Sequence, residues 1–228
     1  ASADMPAQRG RDIGSPYFTW EIVEKCLVAL RPMDTRSKAV RELVGLFSEV
    51  IRTDGPGGVV EPVSAARVGS MLASLRFLPG SDFREIRTLF VSIVEQIPRH
   101  EERPLMDLTS ADLVSYMRSL RHMSSDYTEI QAFLGKMATH IERNRESHHS
   151  APNLVSISAT QFMQLLSVCR HLSSDHKVVR RFYSAVSHLV DTEDFDTTGL
   201  TPAAVGEAAI GFNRLSSTEP VVQELLRH

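Results

Sequence analysis

Only two of the 228 residues are cysteine, Cys26 and Cys169, and they lie far apart in the chain. That spacing offers neither a disulfide framework nor a paired-thiolate metal site, and a reducing compartment fits it best. No apolar run approaches the roughly 18 to 20 residues that span a bilayer, so no membrane partner is expected. The opening, ASADMPAQRGRDIGSPY, lacks the apolar stretch of a secretory signal, and it is compatible with a mature end left after a targeting peptide has been removed. Charge of one sign is not in excess either. With 25 Lys+Arg against 28 Asp+Glu the formal charge is −3, which excludes a strong overall positive field but leaves room for a local basic stripe.

Catalytic signatures are missing as well. The sequence has no phosphate-cradling G-x-x-x-x-G-K-[ST], no G-x-G-x-x-G, no zinc-type H-E-x-x-H and no G-x-S-x-G elbow. Its carboxylates show no pairing beyond helix caps and surface positions. Adjacent His148 and His149 are a weak metal signal, and they read as a solvated loop. The expectation is a protein that is not an enzyme and uses no metal or cofactor.

What the chain does contain is one phrase written five times: FTWEIVEKCLVALRPM, VSAARVGSMLASLRFL, LTSADLVSYMRSLRHM, ISATQFMQLLSVCRHL and LTPAAVGEAAIGFNRL. Each opens with an apolar residue and a hydroxyl, giving Thr19, Ser64, Thr109, Ser158 and Thr201 as N-caps. Four residues later stand Val23, Val68, Leu113, Phe162 and Val205, placed to pack back on the residue before the cap as a hydrophobic staple. Apolar positions then recur at steps of three and four, as in Leu27, Leu30 and Met33 or Leu72, Leu75 and Leu78, which marks one helical face.

A second helix follows each first one after a short turn. Its apolar positions read Val40, Leu43, Phe47, Val50; Ile86, Leu89, Ile93, Ile97; Ile130, Phe133, Met137, Ile141; and Val179, Phe182, Val186, Leu189. A fifth begins with Val222 and Leu225. Asp82 with Glu85, and Asp126 with Glu129, have capping-box spacing. Caps recur 45, 45, 49 and 43 residues apart, so helical units of near-constant length are joined by connectors of variable length, among them GPGGVVEP, NRESHHSAPN and TEDFDTTG. Two helices cannot cover their own apolar faces, whereas a stack of such pairs forms one continuous core. The expected fold is therefore all-α: a right-handed α-solenoid of stacked two-helix repeats, four complete hairpins and a partial fifth. A flexible segment over 1–16 precedes a single repeat domain over 17–228, with repeat cores near 18–54, 63–99, 108–144, 157–192 and 200–228.

Twelve residues after each cap stands an arginine, Arg31, Arg76, Arg121 and Arg170, with Asn213 in the last unit. Stacking would line these up as a ladder able to bind phosphates bidentately and to stack on bases. Each also sits near a helix C-terminus, where it offsets the dipole or pairs with a neighbouring unit. Arg180 and Arg181 with Lys177, and Arg143 with Arg145, extend a basic surface or form plain solvated faces. Tyr116, Tyr127 and Tyr183 are either stacking platforms or core. Trp20, one residue past the first cap, is the candidate for a surface contact with a partner, or else covers the first unit's open end. Val28, Ala29, Ala73 and Val114 are apolar positions on the first helices expected to face a protein partner.

The stretches LTSADLVSYMRSLRHMSSDYTEIQAFLGKMATHIER and ISATQFMQLLSVCRHLSSDHKVVRRFYSAVSHLV resemble the degenerate helical repeats of organellar RNA-processing factors. The nearest resemblance is to octotricopeptide-like and armadillo/HEAT-like repeat proteins of kinetoplastid mitochondria, including components of the RNA-editing substrate-binding complex. It covers the chain from Phe18 onward; the unit length varies where octotricopeptide arrays keep it fixed, and the terminal RAP domain that often follows them is missing. The resemblance implies a mitochondrial-matrix scaffold or RNA-binding subunit of an RNA-processing assembly. Its partners would be protein subunits of that assembly and single-stranded RNA, with self-association through a bare terminal unit as a further expectation. The alternative is an adaptor that binds proteins alone.

Overall fold

The computed structural model describes residues 19–53, 64–75, 77–78, 83–95, 108–146, 156–190 and 196–225. Among them are ten α-helices and no strand. The helices that follow the five caps read from the sequence are α1 (Trp20–Leu30), α3 (Ala65–Leu75), α5 (Ser110–Arg118), α7 (Ala159–Val168) and α9 (Pro202–Gly211). The second helices are α2 (Lys38–Thr53), α4 (Arg84–Glu95), α6 (Thr128–Glu146), α8 (Lys177–Ser187) and α10 (Pro220–Leu225). A 3-10 turn over Ser119–His122 extends α5. The segment 1–16, the connector GPGGVVEP, and Phe18, Val63, Asp82, Ile97, His148 and His149 lie outside the described residues.

Helix starts follow the caps. Thr109 and Ser158 form reciprocal capping boxes with Asp112 and Gln161, each hydroxyl accepting from the N3 amide while the N3 side chain accepts from the cap amide. Ser64 Oγ accepts from Arg67 N at 3.3 Å and Thr201 Oγ1 from Ala204 N at 3.2 Å. Thr19 caps α1 with no side-chain bond. Asp126 departs from its expected capping box: α6 begins at Thr128, and the Asp126 carboxylate instead accepts from the Ser124 hydroxyl at 2.7 Å. Two adjacent serines ahead of it close a tight turn before the helix can start.

The helices associate in two rows. α1 packs on α3, α3 on α5, α5 on α7 and α7 on α9, while α2 packs on α4, α4 on α6, α6 on α8 and α8 on α10. The expected stripes are buried in the middle units: Ile130, Phe133, Met137 and Ile141 on α6, and Val179, Phe182 and Val186 on α8 with Leu189 just past its end, are at most 5% exposed. Phe90 of α4 meets Phe133 of α6 edge to face at 5.1 Å. Tyr116 is wholly buried and reaches across from α5 to donate to Ala65 O at 3.0 Å.

The outer units differ. On α2 the buried residues are Val44, Ser48 and Ile51, while Leu43 is 47% exposed and Leu46 68%. Leu43 holds the place that Leu89, Phe133 and Phe182 hold in later units, where the preceding second helix covers it. In the last unit the staple residue Val205 is 47% exposed, against 1% or less for Val23, Val68, Leu113 and Phe162. Val114 is buried, which corrects its expected exposure, whereas Val28 is half exposed.

Candidate functional site: a basic groove across three first helices

The turn between the helices of a unit carries a bonding pattern that repeats. Ser125 donates its amide to His171 O at 3.3 Å, and its hydroxyl accepts from Ser173 N at 2.8 Å. One unit on, Ser174 donates its amide to Arg214 O at 3.3 Å and its hydroxyl accepts from Ser216 N at 2.8 Å. Both serines are buried, so these bonds satisfy backbone groups that water does not reach. The signal was present in sequence as Ser-Ser-Asp at 124–126 and 173–175 and Ser-Ser-Thr at 216–218. In the first unit Thr35 holds the equivalent place, and among the described residues its hydroxyl has no partner. The residue after Leu78, where a donor is due, is Pro79, and proline has no N–H.

A second contact position also recurs. Arg41 lies over the Phe83 ring at 4.5 Å and Arg87 over Tyr127 at 3.7 Å, Gln131 bonds His176 Nδ1 at 3.3 Å, and Arg180 meets Glu219 at 3.6 Å. One side chain early in each second helix therefore grips the residue just ahead of the next unit's second helix. Arg180 belongs to this set. It also donates to Ser174 O and to Asp175 O, so it closes its own turn.

Of the other arginines singled out by sequence, Arg31 donates to Ser74 Oγ at 2.8 Å and lies 4.8 Å over Phe77. Arg181 bridges to Glu142 of α6, with Nε 3.0 Å from Oε1. Arg76 lies outside the described residues. Trp20 is only 8% exposed and packs into the core, which corrects its reading as a partner contact; it covers the first unit instead. Tyr116 and Tyr183 are core, and Tyr127 lies beneath the Arg87 guanidinium.

Arg121 and Arg170 come together. With Arg118 they line an open groove of about 540 Å³ that crosses α5, α7 and α9, completed by Gln164, Ser167, Val168, Glu207 and Ile210. Arg118 lies one helical turn before Arg121, so both project to one side. This R-x-x-R spacing in the third unit was the available signal for Arg118, which the row counted at every twelfth residue from the caps passed over. Glu207 and Ile210 stand a turn apart on α9 for the same reason.

Arg118 donates through Nη2 to Gln164 Oε1 at 2.9 Å. Arg170 donates through Nε to His171 Nε2 at 3.1 Å and through Nη2 to His122 Nδ1 at 3.2 Å. A guanidinium has no acceptor, so both imidazole nitrogens present lone pairs to it. Two neutral rings thus aim a charge without neutralising it. Arg121 is exposed, and Glu207 is exposed on the opposite wall without an ion pair to any described residue.

Around the outer turn, Asp126 accepts from Ser124 and His176 and pairs with Arg214 at 3.3 Å, which holds its carboxyl down at about 2. Burial pushes the Cys169 thiol up to about 12, so it is a packed side chain and not a nucleophile. Among the described residues no cluster of three His, Cys, Asp or Glu is placed to hold a metal ion, and none of their helices is long and apolar enough to cross a membrane. No family model, curated protein or solved structure significantly matches this chain.

Proposed function

We propose that the protein is an α-solenoid of two-helix repeats acting as a non-catalytic scaffold subunit of a mitochondrial RNA-processing assembly, of the RNA-editing type, that contacts single-stranded RNA through its first-helix groove. The observation that carries the RNA contact is the meeting of Arg118, Arg121 and Arg170 in one open cleft against a single carboxylate, in a chain of net charge −3. Guanidinium forks suit phosphate oxygens and also stack on unpaired bases. The assembly and the compartment rest on the resemblance in the repeat phrases. Arg31, Arg180 and Arg181 are committed to intramolecular partners and stand outside this contact surface.

The experiment is fluorescence anisotropy of a labelled single-stranded RNA titrated at several salt concentrations. Two to three phosphate contacts predict a slope of log affinity against log salt of about −1.4 to −2. Changing Arg118 and Arg121 to Glu abolishes binding while the helical signal persists. No binding at low salt by the folded protein sinks the RNA contact.

A purely protein-binding adaptor is the second reading. Ala39, Leu43, Leu46 and Val50 form an apolar stripe on α2 at steps of four, three and four, with Leu46 68% exposed. Such a face suits a partner helix.

A further inference from the structure

Glu207 is the feature of the groove that phosphate binding leaves unexplained. It stands on α9 in a cleft with three guanidiniums, yet none of them bonds it: Arg118 turns to Gln164 and Arg170 to two imidazoles. A carboxylate there repels phosphate. Its oxygens only accept hydrogen bonds, so its natural counterpart is a ligand that brings an anion to one wall and N–H donors to the other. A nucleotide unit of a strand does this. The cleft's volume, about 540 Å³, lies within the range of sites that enclose a ligand of that size.

We infer that the groove reads a guanine in single-stranded RNA, with Glu207 accepting from the base while Arg118 and Arg170 hold the flanking phosphate. The inference rests on the RNA contact proposed above and adds the base it selects. Guanine alone presents two adjacent donors, N1–H and N2–H, on its Watson–Crick edge, matching both carboxylate oxygens. Adenine and cytosine set a ring-nitrogen acceptor beside their one amino group, and uracil flanks its one N–H with two carbonyls. Each of those places a lone pair against the carboxylate. Ile210, 55% exposed one turn along α9, and Val168 give the base an apolar floor, and the exposed Arg121 gives a cationic plane to stack on.

The test uses a labelled uridine oligomer and the same strand with one central guanosine, inosine or adenosine. Inosine keeps N1–H and loses the N2 amine. The guanosine strand should bind about tenfold tighter than all-uridine, with inosine between them and adenosine no better than uridine. Glu207→Gln should collapse the guanosine preference and raise affinity for the all-uridine strand, because a like charge has left the phosphate path. Equal binding of guanosine and uridine strands by the native protein overturns the guanine reading and leaves the RNA contact standing, as does a guanosine preference that survives Glu207→Ala. Failure of every strand to bind overturns both.

Discussion

Replacing Gly211 by alanine tests how closely the last first-helix is seated. A Cβ built on Gly211 falls 1.9 Å from Leu166 O and 2.6 Å from Leu166 C, both backbone atoms of α7. Carbon and a carbonyl oxygen rest at about 3.3 Å or more, so the helices must part by roughly 1.4 Å, and no rotamer change relieves the clash. Parting them uncovers Ala208, now 2% exposed, and strains the Ser174 bonds to Arg214 and Ser216. Overpacking costs about 1 to 3 kcal/mol where side chains yield, and rigid backbone puts this case at the top of that range. Gly→Ala returns at most about 1 kcal/mol of helix propensity, so the net loss is about 2 kcal/mol. Gly206, on the same helix, has nothing within 4 Å of a built Cβ, and its alanine variant should gain about 0.5 to 1 kcal/mol. Urea unfolding followed by far-ultraviolet circular dichroism compares the two. Because α9 packs chiefly on α7, the Gly211→Ala loss should appear as an early phase in which the last pair of helices melts first. A Gly211→Ala protein as stable as its parent refutes the close seating.

Two further outcomes follow from the same geometry. Ser125→Ala leaves the buried Ser173 amide without its acceptor and should cost about 1 to 3 kcal/mol in the same assay, whereas Ser70→Ala, at an exposed position of α3, should cost almost nothing. Burial, helped by the Arg143 charge, lowers the His140 imidazole to about 4, so the unfolded chain binds more protons than the folded one between that value and the ordinary imidazole range. Stability is therefore complete above about pH 6.5 and should fall by up to about 3 kcal/mol as pH drops to 4; His140→Phe should flatten that part of the stability-versus-pH curve.

The all-helical character was legible in the sequence because caps and stripes are local and repetitive. Four of the five cap hydroxyls bond as their spacing requires, and the middle units bury the side chains that periodicity selects. It failed where the answer depends on a neighbour. Leu43 has the pattern of a core residue and is exposed, because what buries its counterparts is the preceding unit and not its own helix. Trp20 stands at a cap and is buried for the converse reason. Arginine spacing alone left open a phosphate ladder or a tie to the neighbouring unit, and this place in the repeat bonds a serine of the next unit through Arg31 and two histidines through Arg170. Periodicity fixes where a side chain starts and says nothing of which partner its long flexible stem will reach.

The location of the groove follows from the same distinction. Its walls are α5, α7 and α9, the first helices of the three units whose turns are tied by the Ser125 and Ser174 bonds. At the equivalent place in the first unit the Thr35 hydroxyl has no partner among the described residues, and there Arg31 and Arg41 lie over Phe77 and Phe83. Stacked cations tolerate sliding; a buried bond from a backbone amide to a serine hydroxyl does not. A site that must hold guanidiniums and a carboxylate at a fixed separation needs a rigid support. The three units joined by serine provide it, and there Arg118, Arg121 and Arg170 line one open groove.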